Sequence, residues 1–503
     1  MKRKTDLFQL IKAMSKSEKR YFTLDAQKSG RKDARYLELF QSINEQETYD
    51  EAPLKEKFDK ALPTDKTYLY EAILRSMRDY RSANSYAARI KEMIMDAKYL
   101  YERGLYDQSE ERLLAARELA DELGDQLSAI ELNKEQRRLL KDTKRKGYEK
   151  ELKDLIIEKE KKLQKLNEEL YYLDMHDHLL LEIRKNPQRL EEQQKEEIKC
   201  KFDALLRNSI EEPQTIQGKL RYFQCMALLY QLLGNSHQVH NYYSRIVECW
   251  DTSPKYKEEE FYRYILDASN LLHAAFSDPS KSATIPILLN KLEKELPHNW
   301  QDRKILFQKT TAYRLMYYIN TGDFSEIQLI IKRIDKGLKQ FDIGQNSEMV
   351  ISFNVSILLF MAGEFSLCRD WTQRIFTLSK TNVREDIQTA SRILFLIATL
   401  DAENFEETEA SIRNITRYLQ KLKEVPGSFN FKMLHYLKKI HLSTPAKANL
   451  VLRQLKEYVI SLKETQANIP LGLDELIFYW VEGKITQQSI SGIIKKEIAA
   501  SKS

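Results

Sequence analysis

Glycine and proline are scarce in this chain, which has 14 and 11 of them among 503 residues. Glycine-rich phosphate loops and architectures of many short strands need more turn residues than that. Long apolar runs are missing as well, since the most apolar stretch, 350–362, is too short for a membrane span and contains Ser352, Asn354 and Ser356. The first 21 residues are basic and lack the apolar core of a secretory signal, so we expect a cytoplasmic protein without membrane contact.

Familiar catalytic and metal-binding patterns are absent too. The sequence contains no GxSxG, GxGxxG, GxxxxGK[ST] or HExxH motif. His176 and His178 point to different helix faces, while His237 and His240 share a face without Cys, Asp or Glu at ligand spacing. The four cysteines show no CxxC spacing and sit in helical patterns, which is typical of reduced core thiols. We therefore expect neither an enzyme nor a cofactor or metal site.

The residues that are abundant favour helices. Leu, Lys, Glu, Ile and Gln dominate, and most of these are good helix formers. A hydrophobic fraction of 42% is ample for a core despite 31% charged residues, so global disorder is not expected. The length exceeds what one ordinary core fills, which predicts several domains or one elongated array.

A short turn pattern recurs along the chain. It is clearest at Gly104-Leu105-Tyr106, Gly322-Asp323-Phe324 and Gly363-Glu364-Phe365, each placed between two apolar helical stretches. Positions 5, 9 and 12 after the glycine lie on one helix face and are mostly small or apolar. The same template fits anchors at 147, 193, 234, 280, 403 and 443, with a mean period of about 42 residues. Helical hairpins that cannot bury their apolar stripes alone form a shared core when they stack.

These turns resemble the Gly-Asp-Tyr turn between the two helices of a tetratricopeptide repeat. Small residues five positions further on match the family at Ser109, Cys368, Thr408 and Ala448, and Tyr230 and Tyr318 match its first-helix tyrosine. Two features depart from the family: the period is longer, and Leu315 and Leu396 occupy a position where it has a small residue. The resemblance implies an all-α, right-handed solenoid of stacked helical hairpins, clear over 90–125 and 215–465.

Three regions follow from this pattern. Residues 1–88 read as several shorter helices and form a basic N-terminal module, with a last helix over 66–87 and Thr64 or Asp65 as its N-cap. Residues 89–465 contain the tetratricopeptide-like repeats. Residues 466–503 are expected to form C-terminal capping helices and a tail. Core packing is the default expectation for the four tryptophans, and Trp480, beside Phe478 and Tyr479, is the one that best fits an exposed patch.

A long Lys/Glu-rich helix is predicted over 148–185. Leu152, Ile156, Lys159, Leu163, Leu166, Leu170 and Leu173 alternate steps of four and three, as in a coiled-coil seam. The seam covers about three heptads, which is short for an independent coiled coil. We favour an intramolecular hairpin with the helix around 188–207 over a dimerisation arm.

Positive charge is concentrated in the N-terminal module. Residues 1–35 hold eleven Lys or Arg and four acids, whereas the whole chain has a net charge of +6. A second cluster, Arg75, Arg78 and Arg81, is interleaved with Tyr80. Basic and aromatic side chains together can follow a phosphate backbone and stack on bases. The simpler interpretation is a solvated helix face with core tyrosines.

Two functions remain open from the sequence. The first is a non-catalytic scaffold or adaptor that binds a protein or peptide in the groove lined by successive first helices, with Tyr99, Tyr101, Arg314, Tyr318 and Asn354 as candidate lining residues. The second is a nucleic-acid- or ribosome-associated regulator that contacts phosphates through residues 1–90. This second layout resembles peptide-sensing bacterial regulators, which join a small helical domain to tetratricopeptide repeats.

Overall fold

The chain is helical wherever its structure is described. The structure, a computed structural model, describes residues 5–28, 35–82, 85–143, 146–186, 190–207, 212–297, 299–378, 384–402, 405–464 and 469–502. Over these ranges the regular elements are all helices, which confirms the all-α expectation. The chain divides into two compact units, Met1–Ala274 and Ala275–Ser503.

The helices of the first unit are joined mostly by short turns. They are α1 (Asp6–Ala13), α2 (Lys16–Lys28), α3 (Arg35–Glu45), α4 (Ala52–Phe58), α5 (Leu62–Ser82), α6 (Tyr86–Glu102), α7 (Tyr106–Leu123), α8 (Gln126–Thr143), α9 (Tyr148–Lys185), α10 (Glu192–Lys201), α11 (Asp203–Arg207), α12 (Ile216–Leu232), α13 (Ser236–Asp251), α14 (Pro254–Glu259) and α15 (Phe261–Ser277), the last of which ends just past the boundary at Ala274.

The second unit continues in the same way. Its helices are α16 (Thr284–Glu293), α17 (Trp300–Thr321), α18 (Ile327–Gln340), α19 (Gln345–Ala362), α20 (Phe365–Leu378), α21 (Glu385–Asp401), α22 (Phe405–Lys421), α23 (Phe429–His441), α24 (Pro445–Glu464), α25 (Leu473–Thr486) and α26 (Ile490–Lys502).

Helices α1 to α5 share an apolar core of their own. Phe22 and Phe40 meet at the centre of this core, with ring centroids 4.9 Å apart. Helix α5 begins at Leu62 and carries Pro63 in its first turn, where a missing N–H breaks no helical hydrogen bond. The predicted caps, Thr64 and Asp65, therefore lie inside the helix. The helix predicted over 66–87 also ends earlier, at Ser82, and Ser85 starts α6 by accepting a hydrogen bond from the Ala88 amide.

One lysine is buried in this N-terminal core. Lys66 is 5% exposed, and its Nζ donates to the Tyr49 hydroxyl at 2.6 Å and to Glu51 Oε1 at 2.8 Å. Lys55 also pairs with Glu51, at 3.1 Å. Hydrogen bonds from Lys66 and then Lys55 lower the pKa of Glu51 to about 2. A buried ammonium group needs such a counterion, because leaving it alone in the core is strongly unfavourable.

Four connections between consecutive helices have the same turn. Gly104, Gly124, Gly234 and Gly363 all have left-handed φ angles, of 73°, 67°, 73° and 80°. In each turn the amide of the residue after the glycine donates to the carbonyl five residues earlier, at 2.9–3.0 Å. This is the hydrogen bond of a Schellman motif, and glycine provides the left-handed backbone at no steric cost. The turns join α6 to α7, α7 to α8, α12 to α13 and α19 to α20.

Two of these hairpins share a further contact. Ser109 Oγ donates to the Ala97 carbonyl at 2.8 Å, and Cys368 Sγ donates to the Ser356 carbonyl at 3.4 Å. Each donor lies five residues after its turn glycine, and each acceptor lies seven residues before it. All four side chains are small, so the paired helix backbones approach closely at this level.

The long helix α9 confirms the prediction over 148–185, but its partners differ from those expected. It packs mainly against α8 and α12, while α10 is joined to it through an ion pair of 2.6 Å between Lys201 and Glu182. The predicted hairpin with 188–207 is therefore wrong. The predicted seam is wrong as well, because Ile156 and Leu170 are exposed whereas Tyr172 and Leu179 are buried. Two partner helices contact α9 at different points along its length and on different faces. A single heptad seam, which assumes one face, therefore does not describe its packing.

The centre of the second unit is formed by α19 and α21. Every residue from Val355 to Met361 on α19 is buried, including Ser356. A helix that is apolar all round needs neighbours on all sides. Helices α17, α18, α20 and α21 supply some of them, and α25 and α26 supply the rest.

The C-terminal helices belong to this core. Trp480 is 3% exposed and its Nε1 donates to Asp401 Oδ1 at 3.4 Å. The default expectation of core packing is therefore confirmed for Trp480, and the alternative of an exposed patch is wrong. On α26, Ile494 and Ile498 lie against the turn after α17, since a Cβ at Gly322 would be 3.3 and 3.2 Å from them. Both helices therefore contribute apolar side chains to the core of the unit.

We expect Gly337→Ala to destabilise the second unit. Gly337 lies on α18 directly under the Phe307 ring, and that ring stacks on Phe341 with centroids 5.4 Å apart. A methyl group there forces the ring to move, which typically costs about 1–3 kcal/mol and exceeds the gain of roughly 1 kcal/mol from replacing a helical glycine by alanine. Urea unfolding measures the change. Gly427→Ala is the control, because a Cβ at Gly427 meets no atom within 4 Å; equal effects of the two variants would contradict the expectation.

We expect Glu51→Gln to lower the stability of the chain at pH 7 but not at low pH. The pKa of Glu51 is about 2 in the folded chain, below its ordinary value of 4.5. The ionised carboxylate therefore stabilises the fold above pH 4.5, and this contribution disappears as the pH falls towards 2. Thermal unfolding between pH 7 and pH 3 should show the two proteins converging. Glu38→Gln is the control, because Glu38 pairs with Lys57 at the surface and should matter little at any pH.

Candidate functional site

The residues predicted to line a groove are divided between the two units. In the first unit, Tyr99 is 56% exposed and lies under the Arg103 guanidinium at 4.8 Å from the ring centroid. Tyr101 is half-buried, with the Arg138 guanidinium 4.2 Å from its ring and its hydroxyl donating to Asp142. Both rings are therefore at or near the surface of α6, next to basic side chains.

The other three residues lie in the second unit. The Arg314 side chain is 12% exposed, pairs with Glu293 at 3.1 Å and donates to Asn290 at 2.7 Å. Tyr318 is 7% exposed and belongs to the apolar core, so its ring is not part of a groove surface. Asn354 is half-buried on the otherwise buried α19. The predicted lining residues were positions on the first helices of hairpins. In the second unit the side chains at those positions are largely engaged in packing.

The residues predicted to contact nucleic acid share α5. Arg75, Arg78 and Arg81 are exposed, and among the described residues none of the three has an ion pair. Tyr80 is half-buried and packs on Tyr21 of α2, with ring centroids 5.0 Å apart. The structure thus places the arginines in solvent and the tyrosine between helices. Lys2, Arg3, Lys4, Arg31 and Lys32, which account for much of the N-terminal charge, lie outside the described residues.

A groove of about 560 Å³ runs between α7, α8 and the start of α9 in the first unit. Buried Leu139 and Leu140 of α8 lie in its lining. Leu114 of α7 and Ile157 of α9 are also in the lining, and they are 48% and 54% exposed. The groove therefore offers apolar surface to solvent at a size typical of ligand sites.

The lining of this groove is acidic. It includes four carboxylates, Glu110, Glu151, Asp154 and Glu158, and two basic side chains, Arg117 and Lys161. An excess of carboxylates around apolar surface favours a partner that carries apolar side chains next to Lys or Arg.

Ion pairs hold the walls of the groove together. Arg117 of α7 pairs with Glu158 of α9 at 2.5 Å, and Lys162 pairs with Asp121 at 2.5 Å. The carbonyl of Leu155 accepts a hydrogen bond of 2.8 Å from Asn133 Nδ2, which joins α9 to α8. These contacts fix the spacing of the three helices, so the groove is formed before any partner binds.

The sequence contained one signal for this groove. Ile156 and Ile157 are adjacent on α9, so a helix packed on one side could not bury both. The other lining residues belong to helices whose contacts depend on the path of α9, which the heptad interpretation described incorrectly.

Other site types leave no trace in the described parts of the chain. No group of three His, Cys, Asp or Glu side chains there is arranged to hold a metal ion. None of the helices in those parts is both long and apolar enough to cross a bilayer. Comparison of the chain with protein-family models, curated proteins and solved structures gave no match.

Proposed function

We propose that this chain is a non-catalytic scaffold or adaptor that binds a protein partner in the groove between α7, α8 and α9. The observation that carries the proposal is the pairing of exposed Leu114 and Ile157 with an acidic lining. The occupant is a segment of a partner protein with apolar side chains flanked by Lys or Arg. Surfaces of this kind, with an apolar centre and charged surroundings, are typical of protein recognition. A cytoplasmic location is part of the proposal.

The proposal includes a tetratricopeptide-like solenoid with a period of about 42 residues as the fold. The support for this fold is that hairpins far apart in the sequence have equivalent turns and hydrogen bonds. Gly104, Gly234 and Gly363, three anchors of the sequence pattern, are almost evenly spaced and close the same Schellman turn, which Gly124 also forms between α7 and α8. The matching hydrogen bonds from Ser109 and Cys368 occupy equivalent positions in two of these hairpins. Repeated units of this kind present continuous surfaces that suit partner binding.

We expect Leu114→Arg with Ile157→Arg to abolish partner binding without unfolding the chain. Both side chains are exposed, so the substitutions add charge to a surface and remove its apolar contact with the partner. Peptides selected on the full wild-type chain from a displayed library should be rich in Leu or Ile and in Lys or Arg. Their affinity, measured by fluorescence anisotropy, should fall at least about tenfold on the double variant, the loss of a typical apolar anchor.

The matched control is Leu127→Arg with Leu181→Arg, which changes two exposed leucines of the same unit outside the groove. Peptides that bind this control and the groove variant equally well would place recognition elsewhere. Affinity purification from the native host, with and without nuclease, extends the test to natural partners. A protein retained by the wild type and the control, but lost from the groove variant, supports the proposal.

A second candidate function is favoured by the exposed arginines of α5. Three guanidinium groups in solvent, without ion pairs among the described residues, are suited to a phosphate backbone. In this alternative the chain is a nucleic-acid- or ribosome-associated regulator. Tyr80 would then support the helix through Tyr21 rather than stack on a base.

The second function predicts nucleic-acid binding that depends on salt and on α5. In gel shifts of the full chain with single-stranded RNA and duplex DNA, Arg75→Gln with Arg78→Gln and Arg81→Gln should weaken binding. Losing three phosphate contacts makes the negative slope of log K against log salt shallower by roughly 2 to 3. The control removes three other exposed charges of the same unit, through Arg112→Gln, Lys150→Gln and Lys153→Gln. Absence of binding at low salt excludes this function.

A further inference from the structure

Three basic side chains come together in the first unit, and none of them lines the groove. They are His176 of α9, Arg221 of α12 and Arg263 of α15, named here the arginine cluster. Burial and then the charge of Arg263 lower the pKa of Arg221. Burial and then the charge of Arg221 lower the pKa of His176, Asp177 acts against this shift, and Arg263 adds to it. The Arg263 guanidinium also lies 6.0 Å from the Trp250 ring centroid, and Trp250 donates to the same carboxylate, Asp267, as Gln224, the hydrogen-bond partner of Arg221. The two guanidinium groups therefore belong to one network, which is unfavourable for like charges unless something compensates.

The two guanidinium groups are held by neutral acceptors. Arg221 Nη1 donates to Gln224 Oε1 at 3.0 Å, and Arg263 Nη1 donates to the Tyr256 hydroxyl at 3.1 Å. Arg263 also lies 3.9 Å from Glu260 Oε2, at the outer limit of an ion pair. A guanidinium has five N–H donors, so most of the donors of this pair make no hydrogen bond to the described residues.

A buried carboxylate lies beside the cluster, but its hydrogen bonds come from other side chains. Asp267 is 3% exposed, and its oxygens accept hydrogen bonds from Gln224 Nε2 at 2.8 Å and Trp250 Nε1 at 2.9 Å. Burial raises the pKa of Asp267, and the nearby arginines act against this shift. A guanidinium placed only to neutralise Asp267 would bind it directly, in the bidentate geometry that arginine favours. Here an amide and an indole hold the two oxygens instead.

The imidazole of the cluster is also incompletely bonded. Nδ1 of His176 is buried, and its contact with the neighbouring carboxylate is long for a hydrogen bond. It lies 3.5 Å from Asp177 Oδ1, and the Asp177 side chain is 68% exposed. The cluster therefore has a third polar group that a ligand could engage.

The supporting side chains are rigid. Trp250 is fully buried and stacks on Tyr256 with ring centroids 5.2 Å apart, and Tyr256 is 5% exposed. Tyr256 accepts from Arg263, and Trp250 shares Asp267 with Gln224, which accepts from Arg221. One packed network thus positions both guanidinium groups, as expected of a preorganised site.

We propose that the arginine cluster binds the phosphoryl group of a small molecule or of inorganic phosphate. Two forked guanidinium groups can donate to several phosphate oxygens at once, and His176 adds a third donor. Phosphate is favoured over a single carboxylate because a dianion matches two fixed cations. This site is separate from the proposed partner groove and does not depend on it.

The first test is calorimetric titration of the full chain with inorganic phosphate at pH 7 and constant ionic strength. We expect saturable binding to one site. Arg221→Lys with Arg263→Lys keeps both charges but removes the forked donors, and should weaken binding at least tenfold. The control, Arg184→Lys with Arg207→Lys, changes two exposed arginines of the same unit and should leave binding unchanged. Equal binding by the two variants, or no binding by the wild type, overturns the proposal.

The second test uses the wild-type chain and so does not depend on the folding of a variant. Phenylglyoxal modifies accessible arginines, and mass spectrometry gives the rate at each position. Phosphate should slow modification at Arg221 and Arg263 but not at Arg184. Stronger protection by adenosine monophosphate or phosphoserine than by phosphate supports the proposal and identifies the source of the phosphoryl group. Equal protection by acetate, or none by any phosphate compound, overturns it.

Discussion

The close approach of two helices at small side chains controls how the hairpins of this chain are built. At Ser109 and at Cys368 the second helix comes near enough to donate a hydrogen bond to a backbone carbonyl of the first. A larger residue at either position would separate the helices and open the core between them. The Schellman turns at Gly104 and Gly363 return the chain at the angle this contact needs. The outward faces of such hairpins then remain available for packing or for recognition.

The two units use those faces differently. In the second unit α25 and α26 complete the core around α19, so positions such as Tyr318 and Trp480 are buried. In the first unit α9 spreads its contacts over α8 and α12, and the start of this long helix leaves a groove beside α7. An apolar surface with an acidic lining is therefore compatible with partner binding in the first unit. The outward faces of the helices therefore have a packing role in the second unit and a proposed recognition role in the first.

Local features were predictable from the sequence, and long-range neighbours were not. The glycine turns and the span of α9 follow from helix periodicity and punctuation, which act within about twenty residues. The fate of Tyr318 depends on helices that pack from elsewhere in the chain, and tyrosine suits either a core or a surface. The heptad pattern of α9 assumed a single partner along one face, whereas two partners share the helix. Neither the groove nor the arginine cluster could be predicted, because each is formed by three helices and no local sequence pattern shows that those helices are neighbours.

The contact between α26 and the turn at Gly322 has a consequence for biosynthesis. The chain emerges from the ribosome from its N-terminus, and Ile494 and Ile498 appear long after Gly322 and α19. Until then the apolar surfaces of α19 that face α25 and α26 have no native cover. The first unit can complete its own core while synthesis continues, whereas the second must wait for its last helices. The nascent second unit is thus the stage at which this protein most needs protection from aggregation.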